Sequence, residues 1–172
     1  EGPIEFIHHS QQSRIQQREI GLHCDLFSLG IKAALREDPD VILLGELRDS
    51  DTIRQALTAA ETGHLVLATL HTRGAAQAVD RLVDVFPAEE KQLVRTQLAG
   101  SLKAVIAQRL VPSISGSRIG LFEVLIATPG ITNLIREGKM HQTPALLQTG
   151  AQAGMQTVEQ RRLARQAAGL IE

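Results

Sequence analysis

Two short polar clusters hold the residue types best suited to chemistry. The first, Gly45-Glu46-Leu47-Arg48-Asp49, directly follows the apolar run Val41-Ile42-Leu43-Leu44. A carboxylate just beyond a buried strand, with a glycine before it, can come close to a phosphate or a metal ion. There it can hold a water for attack or accept that water's proton. The plainer role for Glu46 and Arg48 is a surface ion pair, which contributes little. The second cluster, Thr69-Leu70-His71-Thr72, follows Leu65-Val66-Leu67-Ala68. Its hydroxyls and imidazole can sense a terminal phosphate. They would lie beside Glu46 if the two strands are neighbours, as consecutive strands usually are. His64 enters the same strand at the other end, where a structural role weighs about as much. In Glu1-Gly2-Pro3-Ile4-Glu5 two acids stand four apart around a proline, in what otherwise reads as a solvated loop.

The elements that must position these residues follow from spacing. A helix is predicted over Ser28 to Glu37, with Ser28 as N-cap, Leu29, Ala33 and Leu35 facing inward, and Pro39 as the stop. Val41 to Leu44 reads as a strand buried on both faces, as in a parallel sheet. Asp49, Ser50 and Asp51 offer caps for a helix whose apolar face is Ile53, Ala56, Leu57 and Ala60, ending at Gly63. The next strand is Leu65 to Thr69. A helix follows with Ala75, Ala78, Val79, Leu82, Val83 and Phe86 on one face, and Pro87 opens another from Ala88 to Leu98. Gly100 and Ser101 are expected to bend or break it before a helical continuation from Leu102 to Leu110. Ile119 to Ala127 reads as a strand pairing with Leu110 and Val111. A helical tail begins at Pro129, and Val158 to Ala168 reads as a final helix. Strands alternating with amphipathic helices indicate an α/β fold with a mainly parallel sheet, whose chemistry lies at the carboxyl ends of the strands.

Composition narrows the function classes. The chain has 172 residues, about one domain or one domain with a small appendage. Its 18 basic and 19 acidic residues show no excess that would announce nucleic acid, and four Phe with no Tyr or Trp make no stacking platform. No apolar run approaches the roughly 20 residues of a membrane-spanning helix, and none has the pattern of a secretory leader. Cys24 is the single cysteine, which leaves no internal disulfide. His8, His9, His23 and Cys24 lack ligand spacing, so no protein-only metal site is expected and a metal-dependent hydrolase is a distant option. No GxxxxGK[ST] loop occurs in these residues, so the backbone cradle and lysine that grip nucleotide phosphates are missing from them.

Longer stretches carry a specific resemblance. Leu35 through Asp49, LREDPDVILLGELRD, resembles at each position the signature of the secretion-type ATPases that drive type II secretion and type IV pilus assembly and retraction. Thr62 through Thr72 resembles the family's His box, and Glu1 through Phe6 its Asp box. Thr128 through Glu137, with Asn133, Leu134, Ile135 and Arg136, resembles the motif of the retraction motors of twitching motility, the nearest subgroup. Gly2 stands where the family usually has Asp, and Gly130 and Thr132 stand where the motif has Ala and Arg. The resemblance implies a RecA-like core over residues 1–127 and a helical subdomain over 128–172. It implies a cytoplasmic homohexamer peripheral to the inner membrane, docked on a pilus platform protein, with ATP and Mg2+ bound between subunits. By position, Glu46 matches the Walker B glutamate, Glu5 the functional glutamate of the Asp box, and His71 the distal His-box residue, the three catalytic candidates. Gly45, Arg48, Thr69, His64 and Glu1 would lie near nucleotide or Mg2+. The chain begins with Glu1 and has its first Met at Met140, so it reads as a processed chain or a fragment. The resemblance implies a Walker A loop ahead of Glu1, which would make these residues a C-terminal part that turns over little ATP alone. The contrasting reading is a non-catalytic or truncated assembly module that docks into such a ring or onto its platform.

Overall fold

Capping and apolar spacing set the elements of the first unit in the computed structural model, which describes residues 2–172. The chain forms two compact units that divide between Leu70 and His71. In the first, α1 (Phe27–Ala34), β1 (Val41–Leu44), α2 (Ser50–Glu61) and β2 (Leu65–Ala68) follow in order. Asp49 is the N-cap of α2 as expected: its Oδ1 accepts from the Thr52 N–H and its Oδ2 from the Thr52 hydroxyl, both at 2.8 Å. Ile53, Ala56 and Leu57 are buried, joined by Ala59, and Gly63 follows the helix with φ +104°.

β1 and β2 are parallel neighbours, in register from Val41↔Leu65 to Leu44↔Ala68. Ile42 and Leu44 point to one side, where they pack with Ile31 of α1 and with Ala56 and Ala59 of α2. Among the described residues, the other side presents apolar side chains to solvent. Val41, Leu43, Leu65 and Leu67 are 47–52% exposed there. The expectation of a strand buried on both faces is thus corrected to one face, because both helices that contact the pair use the same side.

The first helix also differs. It starts one residue earlier, at Phe27, with Leu26 in the cap position and no side-chain cap, so Ser28 is not the N-cap. Ile31 is its buried residue, while Leu29 is 48% exposed and Ala33 is exposed. Packing of Ile31, rather than a cap bond, fixes this helix on the sheet. The helix closes at Leu35, and Asp38 then takes a left-handed conformation (φ 54°) ahead of Pro39. Residues 2–17 form no strand, and Glu1 lies outside the described residues.

The second unit contains α3 (Ala75–Asp84), α4 (Ala88–Ser101), β3 (Ala104–Pro112), β4 (Arg118–Ile126), α5 (Pro129–Glu137), α6 (Thr143–Thr149) and α7 (Val158–Ala167), with 3-10 turns at Met140–Gln142 and Gly150–Ala153. All six residues expected on the inner face of α3 and its exit are buried. Leu102 to Leu110 is not helical. α4 runs through Gly100 to Ser101, and the chain then becomes strand β3, paired antiparallel with β4 from Ala104↔Ile126 to Pro112↔Arg118. The pairing of Leu110 and Val111 with β4 agrees with expectation; the strand simply begins sooner. Val105, Ile106 and Val111 are β-branched, and a nine-residue ladder outweighs the weak helical pattern here. Leu121 and Leu125 on β4 form the centre of this core with Ile131, Ile135, Met140, Val79 and Val94. The Gln156 backbone bonds both ways to Val124 on the free edge of β4 (2.9 and 3.0 Å). A capping box at Thr157 and Gln160 starts α7.

Candidate active site

The carboxyl ends of β1 and β2 bring Glu46 and Thr69 into one small neighbourhood. One step beyond the Leu44↔Ala68 pair, the Thr69 hydroxyl donates to the Gly45 carbonyl, and the Leu47 N–H donates to the Thr69 carbonyl at 3.1 Å. These bonds tie the loop after β1 to the loop after β2. Glu46 is held between them with its side chain only 20% exposed, and it pairs with the Arg48 guanidinium, which is 74% exposed. Asp49 closes the loop by capping α2, so Gly45 to Asp49 is fixed at both ends. The site therefore offers a partly sheltered carboxylate and a hydroxyl, hard oxygen donors that suit Mg2+ or its bound water. The ion pair expected as the plain alternative is also present, so Glu46 carries both features.

The other candidates are distributed differently. His64 lies before Leu65, at the far end of β2 from Thr69. Its Nδ1 bonds the Ala59 carbonyl at 3.0 Å and lies 3.3 Å from the Thr62 hydroxyl, closing the C-terminal end of α2. Glu5 stands in the irregular segment ahead of α1, where the neighbouring Ile4 N–H donates to Glu19 Oε2 at 3.2 Å. Glu1 lies outside the described residues. His71 opens the second unit and is exposed, four residues before α3.

A family model described as Type II/IV secretion system protein matches residues 1–117. The chain belongs to that family. It is 68% identical over 160 residues to the uncharacterized protein YggR of Escherichia coli (strain K12), covering 93% of this chain and 49% of that protein. It is 55% identical over 159 residues to the type IV pilus retraction ATPase PilT of Pseudomonas aeruginosa, covering 92% and 46%. A crystal structure of the pilus retraction motor PilT with bound ADP superimposes with a TM-score of 0.90 at 44% identity, over 100% of this chain and 48% of that one. The α/β ATPase fold and the likeness to retraction motors agree with the sequence reading. The chain spans about half the length of the relatives it matches.

In this secretion-system protein the retraction-like motif divides by face on α5. Leu134 and Ile135 are buried against the core, whereas Asn133 and Arg136 are exposed. Asn133 Nδ2 donates to Glu137 Oε1 (3.0 Å) and Lys139 pairs with Glu137 Oε2 (2.8 Å). Those bonds, the Lys139 one foremost, hold the Glu137 carboxyl below its usual range. The Gln92 side chain of α4 donates to the Arg136 carbonyl (3.3 Å).

Sequence reasoning passed over Glu123 and Arg109 on the hairpin. The signal was present in the period-2 pattern, which sets Glu123 between Leu121 and Leu125 on the core-facing side of β4. An acid there must find a donor. Among the described residues no helix is long and apolar enough to cross a membrane.

Proposed function

We propose that this chain is the catalytic-side half of an ATPase subunit that couples ATP hydrolysis to type IV pilus retraction or a related secretion step. What supports the reading most is Glu46, sheltered at the carboxyl end of β1 beside Thr69, in a chain whose fold follows that of the PilT motor. Glu46 orients the attacking water and accepts its proton, as a Walker B glutamate would. Thr69 and Gly45 hold the loop that carries it, while Arg48 balances its charge. Glu5 is a second acid for water activation, and His71 reports on the terminal phosphate. Mg2+, when bound with ATP, supplies charge neutralisation at the phosphates.

The phosphate-gripping loop comes from elsewhere in the subunit, in keeping with coverage of 46–49% of the two relatives. Residues 1–127 belong to the RecA-like core and 128–172 to a helical subdomain. The subunits form a homohexamer in the cytoplasm, peripheral to the inner membrane and docked on a pilus platform protein.

Steady-state hydrolysis with ATP and Mg2+ tests this reading, on the 172-residue chain and on the full-length protein. Turnover by the full-length protein, with little by the chain alone, is expected. A folded, hexameric full-length protein without turnover would instead favour the non-catalytic assembly module.

A further inference from the structure

We propose that Glu123 is a positioning residue that anchors the loop carrying His71, with Arg109 as a second anchor. The proposal rests on the reading of His71 as part of the nucleotide site. Glu123 lies opposite Ala107 in the hairpin, on the same face as Leu121 and Leu125, which are 1% and 0% exposed. On that face its carboxylate reaches α3, where Oε1 accepts from the N–H of Ala75, the first helical residue, at 2.8 Å. The cap position is Gly74, which has no side chain to do this. An orphan N–H at the helix start is thus satisfied from the hairpin, and the carboxylate sits where the helix dipole favours negative charge. Glycine at 74 makes room for it: a Cβ there would lie 3.3 Å from Glu123 Oε1.

Arg109 adds the second point of attachment. It alternates with Ala107 along β3, so it shares the face of Glu123, one pleat further on. Its Nη2 lies 3.4 Å from the Arg73 carbonyl, to which it donates. The Thr72 hydroxyl meanwhile reaches the Gly74 carbonyl at 3.5 Å. Arg73 and Ala75 are therefore both tied to the hairpin. His71 is two residues before Arg73, and two residues of chain span at most about 7 Å. Holding the Arg73 carbonyl in place confines the His71 backbone to that radius. A cap that served only the stability of α3 would not require the attachment at Arg73.

The test uses the full-length protein and its Glu123→Ala, Glu123→Gln and Arg109→Ala variants. Hydrogen exchange across residues 72–76, the His71 imidazole resonance, and kcat and KM for ATP are measured on each. Glu123→Ala is expected to speed exchange in that segment and to lower kcat by about tenfold, the factor that loss of a charged hydrogen bond of about 1.4 kcal/mol represents. The KM for ATP should stay within about twofold, since only the loop is loosened. Glu123→Gln keeps an oxygen acceptor for the Ala75 N–H and should recover most of both effects. Unchanged exchange in Glu123→Ala overturns the proposal, and so does faster exchange with unchanged kcat. If Glu123→Ala does not fold, exposed Arg109 carries the test: Arg109→Ala should speed exchange at 73–75, and no change there overturns the proposal. A wild type without turnover marks failure of the ATPase reading itself. The anchoring is then decided by exchange and by the His71 resonance, where an unshifted resonance in Glu123→Ala overturns it.

Discussion

Replacing Asp49 with alanine should destabilise the first unit by about 2–3 kcal/mol. Asp49 accepts two bonds from Thr52, one from its N–H and one from its hydroxyl, each at 2.8 Å. Loss of the cap bond costs about 1 kcal/mol. Thr52 is 2% exposed, so its hydroxyl loses its acceptor where water cannot readily replace it, which adds about 1–2 kcal/mol. For a chain of this length the sum corresponds to a fall in Tm of roughly 5–10 °C. Asp49→Asn keeps an acceptor for the N–H, and its amide can donate to the Thr52 hydroxyl, so it should cost less than about 1 kcal/mol. Urea denaturation of the wild type, Asp49→Ala, Thr52→Val and the double variant gives the assay. The double variant should cost about 1 kcal/mol less than the sum of the single ones, because they share a bond. An Asp49→Ala cost below about 0.5 kcal/mol, or strict additivity, would refute the reasoning. The consequence reaches the site, since Asp49 ends the loop that carries Glu46.

Gly150→Ala should cost about 1–3 kcal/mol in denaturation, because overpacking forces neighbours to move. Its Cβ would lie 2.2 Å from Met155 Cε and 3.1 Å from Met155 Cβ, and the second Cβ cannot swing aside, so Met155→Ala in the same chain should relieve part of the cost. Asp80 on α3 has its carboxyl raised above the usual range, first by burial and then by the Asp84 carboxylate, against the opposing pull of Arg95 and His141. Its folded pKa exceeds the unfolded one, so the wild type gains stability as pH falls through the folded value, and the gain is complete below the ordinary aspartate value. Asp80→Asn should therefore raise Tm relative to wild type at pH 7, with the advantage gone near about pH 3; an equal or larger advantage at the low pH contradicts the sign.

Much of the layout was legible because it rests on local rules. Asp49 as a cap, the α3 face, the α2 face apart from half-buried Ala60, and Gly63 as a stop follow from spacing and side-chain chemistry within a few residues. The pairing of β1 with β2 follows from the tendency of consecutive strands to be neighbours. The carboxyl-end rule ranks the residues after β1 and after β2 first, and there the Thr69 hydroxyl donates to the carbonyl of Gly45, the residue before Glu46. What escaped notice depends on partners distant in sequence. The strand identity of Ala104 to Leu110 comes from its ladder with β4, not from its own propensity. Glu123 reaches Ala75 across 48 residues, a contact invisible to local periodicity. The bare side of β1 and β2 could not be told from a covered one, because a continuous apolar run suits either.

Glu46 carries the catalytic reading, and one substitution addresses it directly. Glu46→Gln in the full-length protein keeps the side chain's size while removing its charge and its capacity to take a proton. ATP binding and hydrolysis with Mg2+ should be measured on the same preparation. We expect nucleotide affinity within a few-fold of wild type and turnover lowered by about 100-fold or more, the usual scale for loss of a general base. Turnover equal to that of the wild type would contradict the assignment and remove Glu46 from the mechanism.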